Sequence, residues 1–182
     1  IAANSVHLSA GEDLGIVHFV TAGENPIYAG IAGDNVRLQP TICIHSFPLP
    51  FAVWRHLFTE GAHVVTPSIR HVPPQCLDPK AKNRSRLHWF VADQQSHAVD
   101  PKAISLLLDL DGHITECSGS NFVLVRDRIV YSPTSRNILA GISLATVREL
   151  AEQLGWGWVE NDLQLYDVVN ADEAWLTTTP YG

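Results

Sequence analysis

Two candidate β-hairpins that follow one another in the second half of the chain constrain its fold most strongly. The first joins the apolar run 104–110 to the run 113–117 through Asp111-Gly112, a dipeptide that favours the tight turn of a hairpin. The second joins NFVLVRD to RIVYS within residues 121–132. Hairpin-joined strands pair antiparallel, so the sequence predicts a mixed α and β fold and not a doubly wound parallel sheet.

Helical periodicity is clearest in ISLATVRELAEQLG, residues 142–155. Gly155 suits the C-terminal end of this helix, and its predicted apolar stripe consists of Leu144, Val147, Leu150, Ala151 and Leu154. A second helix is predicted from Asn83 to His97, with an apolar face that consists of Leu87, Phe90 and Val91. Stripes of this kind are typical of helices that pack on a core.

The remaining segments predict shorter elements. We expect strands at 15–22, 38–48 and 63–69, and a short helix at 52–59. Residues 70–79, RHVPPQCLDP, contain three prolines and little periodicity, which is typical of a linker between two units. The stretch VENDLQLYDVVNADEAWLTTT near the end predicts the end of a strand, a short helix and a last strand.

Composition and charge exclude several classes of function. The chain has 182 residues, 46% hydrophobic and 17% charged, enough for one domain with a core or for one domain and part of another. A net charge of −7 gives no electrostatic reason to expect a nucleic acid partner. No apolar run approaches the roughly 18 residues that a membrane span needs.

The cysteines argue against both a disulfide framework and a metal site. Cys43, Cys76 and Cys117 are odd in number and widely spaced, so we expect a reducing, cytoplasmic compartment. Cys43 and His45 stand two apart, but no second close pair completes a ligand set. We therefore predict no bound metal.

The ends of the chain suggest a piece of a longer polypeptide, or a sequence from which residues have been lost. The sequence begins with Ile, contains no Met and stops at TTTPYG, directly after an apolar, strand-like run. The N-terminal stretch has no basic region followed by an apolar core, so we do not expect a signal peptide.

Four short motifs contain residues that could take part in catalysis or ligand binding. They are Lys80 in LDPKAKN, Glu116 in TECSGSNF, the run ILAGIS at 138–143, and LTTTP at 176–180. A lysine amine can form a Schiff base, a carboxylate can hold a pyridine nitrogen protonated, and a small-residue helix start can bind an anion. Together these are the requirements of pyridoxal 5′-phosphate.

Each motif also has a simpler interpretation. Lys80 could be a surface lysine, and Ser143 could only cap its helix. Thr178 and Thr179 could be ordinary strand residues. Glu116 could be a solvated hairpin residue, although a carboxylate near the centre of a sheet needs a cationic partner.

In their order and residue identities, the four motifs resemble those of the class IV (fold type IV) pyridoxal-phosphate aminotransferases. That family includes branched-chain aminotransferases, D-amino acid aminotransferases and aminodeoxychorismate lyases. The resemblance runs from about residue 77 to the end and rests on Lys80 with Asn83, Glu116 with Asn121, LAGIS at 139–143 and ADEAWLTTT at 171–179. Ala140 and Thr178 stand where the family usually has Pro and Gly.

The resemblance implies a role for each motif. Lys80, rather than Lys82, would form the Schiff base, and Glu116 would pair with the pyridine nitrogen. Leu139 would pack on one face of the ring. The phosphate would be held by Ile142, Ser143 and Thr179, and Gly141 and Thr178 would also bind the cofactor. Arg84 stands four residues before His88, so on one helical face it could clamp a substrate carboxylate or be a plain surface residue.

The resemblance also implies an architecture and an assembly. We expect an α+β fold with the remainder of a small N-terminal α/β domain over 1–70 and an interdomain linker over 71–79. A larger C-terminal, cofactor-binding pseudo-barrel domain of mainly antiparallel strands with helices would occupy 80–182, without its final strands. The family's phosphate-binding arginine lies further upstream of the lysine than this chain extends. The family implies a homodimer.

The function that this reading predicts is transamination between an amino acid and a 2-oxo acid, both small molecules. Neither nucleic acid nor membrane is an expected partner. Two alternatives stay open. One is elimination of pyruvate by the same lysine, as in an aminodeoxychorismate lyase. The other is a homologue that has lost the cofactor and serves as a binding module.

Overall fold

The computed structural model describes residues 2–6, 8–9, 11–23 and 39–180. The chain divides into two compact units, Ile1–Val53 and Trp54–Gly182. The bounds of the elements in the first unit are α1 (Ala2–Ser5), β1 (Leu14–Thr21) and β2 (Thr41–Pro48), and α2 (Phe51–Trp54) crosses the boundary. β1 pairs antiparallel with β2, with Leu14 opposite Pro48. The strands predicted at 15–22 and 38–48 are therefore confirmed, apart from residue 38, which lies outside the described residues.

The second unit contains a three-stranded sheet in the order β3-β4-β5. Its elements are α3 (Leu57–Glu60), β3 (Val64–Val65), α4 (Leu87–Val99), β4 (Ile104–Leu108) and β5 (Ile114–Cys117). β4 is parallel to β3 and antiparallel to β5. Gly112 in the turn between β4 and β5 has a φ of 89°, a left-handed conformation that glycine adopts without steric cost. The first predicted hairpin is confirmed.

A four-stranded sheet in the order β8-β7-β6-β9 completes the second unit. Its elements are β6 (Asn121–Arg126), β7 (Ile129–Pro133), a 3₁₀ turn (Ser135–Asn137), α5 (Ile142–Gln153), β8 (Gly157–Asn161), α6 (Leu165–Val169) and β9 (Glu173–Thr177). β6 runs antiparallel to both β7 and β9, and β8 runs parallel to β7. Asp127 and Arg128 both have positive φ, as a two-residue hairpin turn requires. The second hairpin is confirmed, and the fold is the predicted α+β.

The core lies on both faces of β6. Phe122 and Leu124 belong to a cluster with residues of β4 and β5, whereas Val123 and Val125 belong to a cluster with residues of α5. Alternate side chains of a strand point to opposite faces of its sheet. A strand covered on both faces is apolar throughout, which explains the unbroken apolar run after Asn121. Asn121 itself is paired with Thr177 at the end of β9.

The predicted face of α4 is wrong. Leu87 and Phe90 are 72% and 61% exposed, while the buried residues of this helix are Trp89, Ala92 and Ser96. The helix also begins at Leu87 rather than at Asn83, because the Asn83 side chain accepts a 3.0 Å hydrogen bond from the Ser85 N–H and closes a turn. Small residues such as Ala92 and Ser96 allow close packing on β4, a preference that apolar periodicity does not detect.

The stripe predicted for α5 is only partly buried. Leu144 and Ala151 are buried, whereas Leu150 and Leu154 are exposed. The C-terminal end is as predicted: Gly155 has a φ of 71°. The N–H groups of Gly155 and Trp156 donate to the Glu152 and Ala151 carbonyls, which is the Schellman arrangement.

Residues 54–70 belong to the larger unit in this chain. Val64–Val65 pairs with β4, and Arg70 forms an isolated bridge with Leu108. The strand predicted at 63–69 is therefore short, and the helix predicted at 52–59 is divided into α2 and α3. The division between the units falls between Val53 and Trp54, upstream of the boundary predicted at residue 70, because β3 belongs to the sheet of β4. The assignment of 71–79 as an interdomain linker stays a prediction.

The helices are short. The longest in the described part of the chain, α4, has 13 residues. Across the described ranges, none combines the length and the apolar character that crossing a bilayer would require.

Candidate active site

Four segments of the second unit line one open cavity of about 340 Å³. They are the turn before α4, the loop between β5 and β6, the loop that enters α5, and the end of β9. The wall includes the predicted residues Lys80, Glu116, Leu139, Gly141, Ile142, Ser143, Thr178 and Thr179. A cavity of this volume is within the range that small-molecule ligands occupy. The structure thus brings together residues from all four sequence motifs.

Glu116 lies near the end of β5 with a side chain that is only 12% exposed. Its Oε2 accepts a 2.9 Å hydrogen bond from the Leu139 backbone N–H and a 3.2 Å bond from the Asn121 side chain. Its Oε1 lies 3.4 Å from Nε2 of His71. A buried carboxylate needs such donors to offset the loss of water. The carboxylate is therefore held in one place on the cavity wall.

The loop that enters α5 is shaped around Asn121. The Asn121 amide also donates a 2.9 Å hydrogen bond to the Leu139 carbonyl. A methyl group on Gly141 would overlap the Asn121 side-chain oxygen, so only glycine fits at this position without rearrangement. Gly141 is the N-cap residue of α5 and supplies no side-chain cap.

The start of α5 offers unpaired backbone donors to the cavity. Ile142 and Ser143 occupy the first turn of the helix, where backbone N–H groups have no partner within the helix. Because the N-cap is Gly141, the simpler interpretation of Ser143 as a helix cap is wrong. Backbone N–H groups and the positive end of the helix dipole favour an anion here.

The end of β9 contributes hydroxyl groups with different roles. The Thr178 hydroxyl donates a 2.8 Å hydrogen bond to the Gly119 carbonyl, so it fixes the β5–β6 loop. Within the described part of the chain, the buried hydroxyl of Thr177 has no hydrogen-bond partner, and Thr177 also lines the cavity. Sequence reasoning selected Thr178 and Thr179 and missed Thr177, which only the pairing with Asn121 brings to this edge.

Lys80 lies in a tight turn at the cavity. The Asp78 side chain accepts a 2.9 Å hydrogen bond from the Lys80 N–H, and the Asp78 carbonyl accepts one from Ala81. Pro79 stands at the second position of this turn, which its fixed φ favours. Lys80 and Lys82 are both exposed and both line the cavity. The turn explains why a proline precedes this lysine.

Arg86, rather than Arg84, is the arginine on the cavity wall. Arg84 lies in the turn that precedes α4 and not on a helical face with His88, because the helix begins only at Leu87. Arg86 donates a hydrogen bond to the Ser118 carbonyl, and its guanidinium lies 5.6 Å from the centre of the Trp89 ring. The expectation that Arg84 faces the substrate is not supported by this placement.

A cluster of aromatic rings lies behind Glu116 and has no signal in the sequence. The His71 ring lies 5.5 Å from the Trp89 ring and 5.8 Å from the His88 ring. The pKa of His88 is lowered from its ordinary value, chiefly by burial and then by His71 and Arg86, while Glu116 acts in the opposite direction. The bridge between Arg70 and Leu108 places His71 next to β4 and so beside β5.

Cys117 also lines the cavity but is unsuited to act as a nucleophile. Its side chain is buried, and desolvation raises the pKa of its thiol far above the ordinary range. Nucleophilic attack by cysteine requires the thiolate. The thiol therefore acts as a packing group.

One group of possible metal ligands occurs among the described residues, formed by Asp109, Asp111 and His113. The Asp109 carboxylate is already engaged, because it accepts hydrogen bonds of 3.0 and 2.8 Å from the Asp111 and His113 backbone N–H groups. It also accepts a 3.2 Å bond from Asn137. These contacts close the β4–β5 turn.

The cavity fits pyridoxal 5′-phosphate in the chemistry of its walls. An amine, a fixed carboxylate and an apolar Leu139 face the same space, which suits the aldehyde, the ring nitrogen and the ring face of that cofactor. The start of α5 supplies donors for a phosphate.

Comparisons with known proteins point in the same direction. A family model described as Amino-transferase class IV matches residues 9–182. A Methanocaldococcus jannaschii protein, provisionally named as a branched-chain-amino-acid aminotransferase, is 32% identical over 144 residues, which are 78% of this chain and 48% of that protein. The chain thus spans about half the length of this relative.

Solved structures with a similar fold include enzymes of two kinds. A branched-chain aminotransferase from Thermoproteus uzoniensis, solved with norvaline, has a TM-score of 0.67 at 25% identity, covering 82% of this chain and 50% of that chain. The 4-amino-4-deoxychorismate lyase from Pseudomonas aeruginosa has a TM-score of 0.73 at 25% identity, covering 90% of this chain and 58% of that chain.

Proposed function

This chain belongs to the class IV aminotransferase family and has its α+β fold, and on that premise we propose that it transfers an amino group from an amino acid to a 2-oxo acid with pyridoxal 5′-phosphate. The observation that carries the proposal is the single cavity on which Lys80, Glu116 and the start of α5 meet. An amine, a buried carboxylate and an anion-binding helix start have no common purpose in a simple binding pocket, but this cofactor uses all three.

Each of these residues has one task in the proposal. Lys80 binds the aldehyde of the cofactor covalently through Nζ. Glu116 accepts a hydrogen bond from the protonated ring nitrogen, and Leu139 packs against the ring. The phosphate is held by the backbone N–H groups of Ile142 and Ser143, with hydroxyl groups from the end of β9. When bound, the cofactor supplies the electron sink that makes the substrate α-proton acidic.

The proton is moved by Lys80. With the substrate amine in place of its own bond to the cofactor, Lys80 would have a free amine at the cavity. In its neutral form this amine would hold and move the substrate α-proton at Nζ. Glu116 would keep its hydrogen bond to the protonated ring nitrogen meanwhile.

Arg86 is the proposed site for the substrate carboxylate. Its guanidinium is oriented by the Ser118 carbonyl and the Trp89 ring. A guanidinium held in this manner can bind a carboxylate through two parallel N–H groups. Arg86 replaces Arg84 in this role, because only Arg86 lines the cavity.

A second candidate function is elimination of pyruvate from 4-amino-4-deoxychorismate. The similarity to a lyase of that name, with a TM-score of 0.73 over 90% of this chain, supports it. The same lysine and carboxylate serve both reactions, so the choice depends on the substrate. The third possibility raised by the sequence, a homologue without cofactor, is opposed by the presence of all the cofactor motifs on one cavity.

An assay with two arms tests the proposal. The full chain is mixed with pyridoxal 5′-phosphate and a panel of amino acids, with and without a 2-oxo acid. Amino transfer that requires the 2-oxo acid supports an aminotransferase, and pyruvate release from aminodeoxychorismate without it supports the lyase. The Lys80→Ala variant should be inactive and Lys82→Ala active. A chain that shows no near-visible cofactor absorption and no activity would contradict both functions.

We further propose that the enzyme is a cytoplasmic homodimer that acts on small molecules and binds neither nucleic acid nor membrane. The family resemblance supports the dimer, and the three unpaired cysteines support a reducing compartment. Light scattering of the pure chain tests the assembly, since a monomeric mass at working concentration would contradict the dimer.

A further inference from the structure

His71 and Glu116 form a buried pair behind the cavity. Nε2 of His71 lies 3.4 Å from Oε1 of Glu116, and the two side chains are 8% and 12% exposed. The His71 backbone is fixed, because its N–H donates a 2.9 Å hydrogen bond to the Leu108 carbonyl. The backbone hydrogen bond to β4 therefore fixes the position of the His71 ring beside the carboxylate.

The contacts of the His71 ring accommodate a proton on each nitrogen. Nδ1 lies 3.0 Å from the Val72 carbonyl, and a carbonyl oxygen can only accept, so Nδ1 carries a proton. An ionised carboxylate can also only accept, and its Oε1 lies 3.4 Å from Nε2, a distance at which a proton on Nε2 makes the contact favourable. If Nε2 had no proton, its lone pair would face a carboxylate oxygen, and the pair would need a proton from elsewhere.

Glu116 retains acceptor capacity for one more donor. A carboxylate offers roughly four lone-pair positions. Two are taken by hydrogen bonds from Leu139 and Asn121, and His71 lies in ion-pair contact with the other oxygen. Because Glu116 also lines the main cavity, the remaining position is available to a ligand there. His71 and a ligand in the main cavity can thus contact the Glu116 carboxylate at the same time.

Other titratable groups face the pair from α4 and from the turn before it. A small cavity of about 60 Å³ is lined by His71, Glu116, His88, Arg86 and Lys82 among others. The His88 ring packs edge-on against His71. The lowered pKa of His88 favours its neutral form, and the fixed positive charges are those of Arg86 and Lys82.

We propose that His71 is a positioning residue whose Nε2, in contact with Oε1 of Glu116, holds this carboxylate aimed at the ring nitrogen of the bound cofactor. The inference rests on the proposed function and deepens it, because it names the group that sets the protonation of the ring nitrogen. His71 touches Glu116 and not the reacting atoms.

The test compares two variants of His71 with a control. His71→Phe keeps an aromatic ring beside Trp89 but removes the donor, whereas His71→Gln retains an N–H at about the reach of Nε2. His88→Gln alters a ring of the same cluster. Each full chain is loaded with pyridoxal 5′-phosphate labelled with ¹⁵N in the ring, and the ¹⁵N chemical shift at neutral pH reports whether this nitrogen is protonated.

We expect the wild type, His71→Gln and His88→Gln to show a protonated ring nitrogen, and His71→Phe to shift toward the neutral form. Cofactor affinity should fall about tenfold or more in His71→Phe, as expected for the loss of a charge-assisted hydrogen bond. A shift in His71→Phe identical to that of the wild type overturns this inference alone. A wild-type chain that takes up no cofactor overturns the proposed function instead.

A measurement without cofactor covers the case in which His71→Phe folds poorly. Denaturant unfolding is compared for His71→Phe, Glu116→Gln and the double variant. If the pair exists, removing the carboxylate charge restores part of the stability that His71→Phe loses, because an ionised carboxylate is no longer buried without its donor. Additive losses, or a double variant no more stable than His71→Phe, contradict the pair.

Discussion

The backbone N–H of Leu139 donates a 2.9 Å hydrogen bond to the carboxylate of Glu116, so the loop that enters α5 is tied directly to the end of β5. The Asn121 side chain strengthens this connection, because its amide donates both to Glu116 and to the Leu139 carbonyl. Two motifs that lie far apart in sequence therefore form one rigid wall of the cavity.

Replacing Asn121 with Ala should lower the free energy of unfolding by about 1–3 kcal/mol, because two partly buried acceptors lose their donor. Denaturant unfolding of the cofactor-free chain measures the change. The control is Asn170→Ala, which removes an exposed side-chain hydrogen bond to the Tyr166 carbonyl. That change should stay within about 0.5 kcal/mol. Equal effects of the two variants would argue against Asn121 as the link between the loops.

Gly141→Ala should destabilise the chain by about 1–3 kcal/mol, because the added methyl group must displace the Asn121 side chain. Gly119→Ala is the matched control on the same cavity, since a methyl group there has no neighbour within 4 Å. Thermal or denaturant unfolding distinguishes the two. If Gly141→Ala is as stable as Gly119→Ala, the tight fit around Asn121 is not a constraint on the loop.

The pH dependence of stability should carry a contribution from His88. Its pKa in the folded chain is lowered from the ordinary value of 6.5, mainly by burial, so the unfolded chain binds its proton more readily. Stability should therefore fall as the pH decreases through about 6.5 and toward the lower folded value. His88→Gln should flatten the profile in this window, and His97→Gln controls for a histidine lost from the same helix. If the stability of His88→Gln fell more steeply with decreasing pH than that of the wild type, the pKa of His88 could not be lowered by burial in the folded chain.

Much of the fold could be predicted because local chemistry specifies it. The hairpin turns depend on Asp111-Gly112 and on the residues at 127–128, and Gly155 ends α5 by its own conformation. The faces of α4 and α5 could not be predicted as well, because burial depends on which side of the helix meets the sheet. Trp89, Ala92 and Ser96 are the buried residues of α4, but apolar periodicity favoured Leu87 and Phe90.

The site shows the same division between local and long-range information. The motifs around Lys80, Glu116 and LAGIS were visible because each has its own pattern in the sequence. His71, Arg86 and Thr177 were missed, because strand pairing or helix position alone brings Arg86 and Thr177 to the cavity and His71 to the back of Glu116. Of these three, only Arg86 could have been suspected from the sequence, because it is a basic residue close to the lysine motif.

Arg86→Gln should raise the KM for the amino acid about ten- to a hundredfold with a smaller change in kcat, because a charge-assisted contact to the substrate carboxylate is lost. Arg84→Gln is the matched control, since Arg84 does not line the cavity. Steady-state kinetics of the cofactor-loaded chain measure both. A larger loss of substrate affinity in Arg84→Gln would return the carboxylate role to Arg84, the candidate that the sequence analysis raised.

The most direct measurement concerns Lys80 itself. The chain is incubated with pyridoxal 5′-phosphate, reduced with borohydride and digested, and the modified peptide is identified by mass spectrometry. The proposed function predicts a stable phosphopyridoxyl group on Lys80, absent from Lys80→Arg and retained in Lys82→Arg. Modification at Lys82 alone, or none at either lysine, would contradict the assignment of Lys80 as the residue that carries the cofactor.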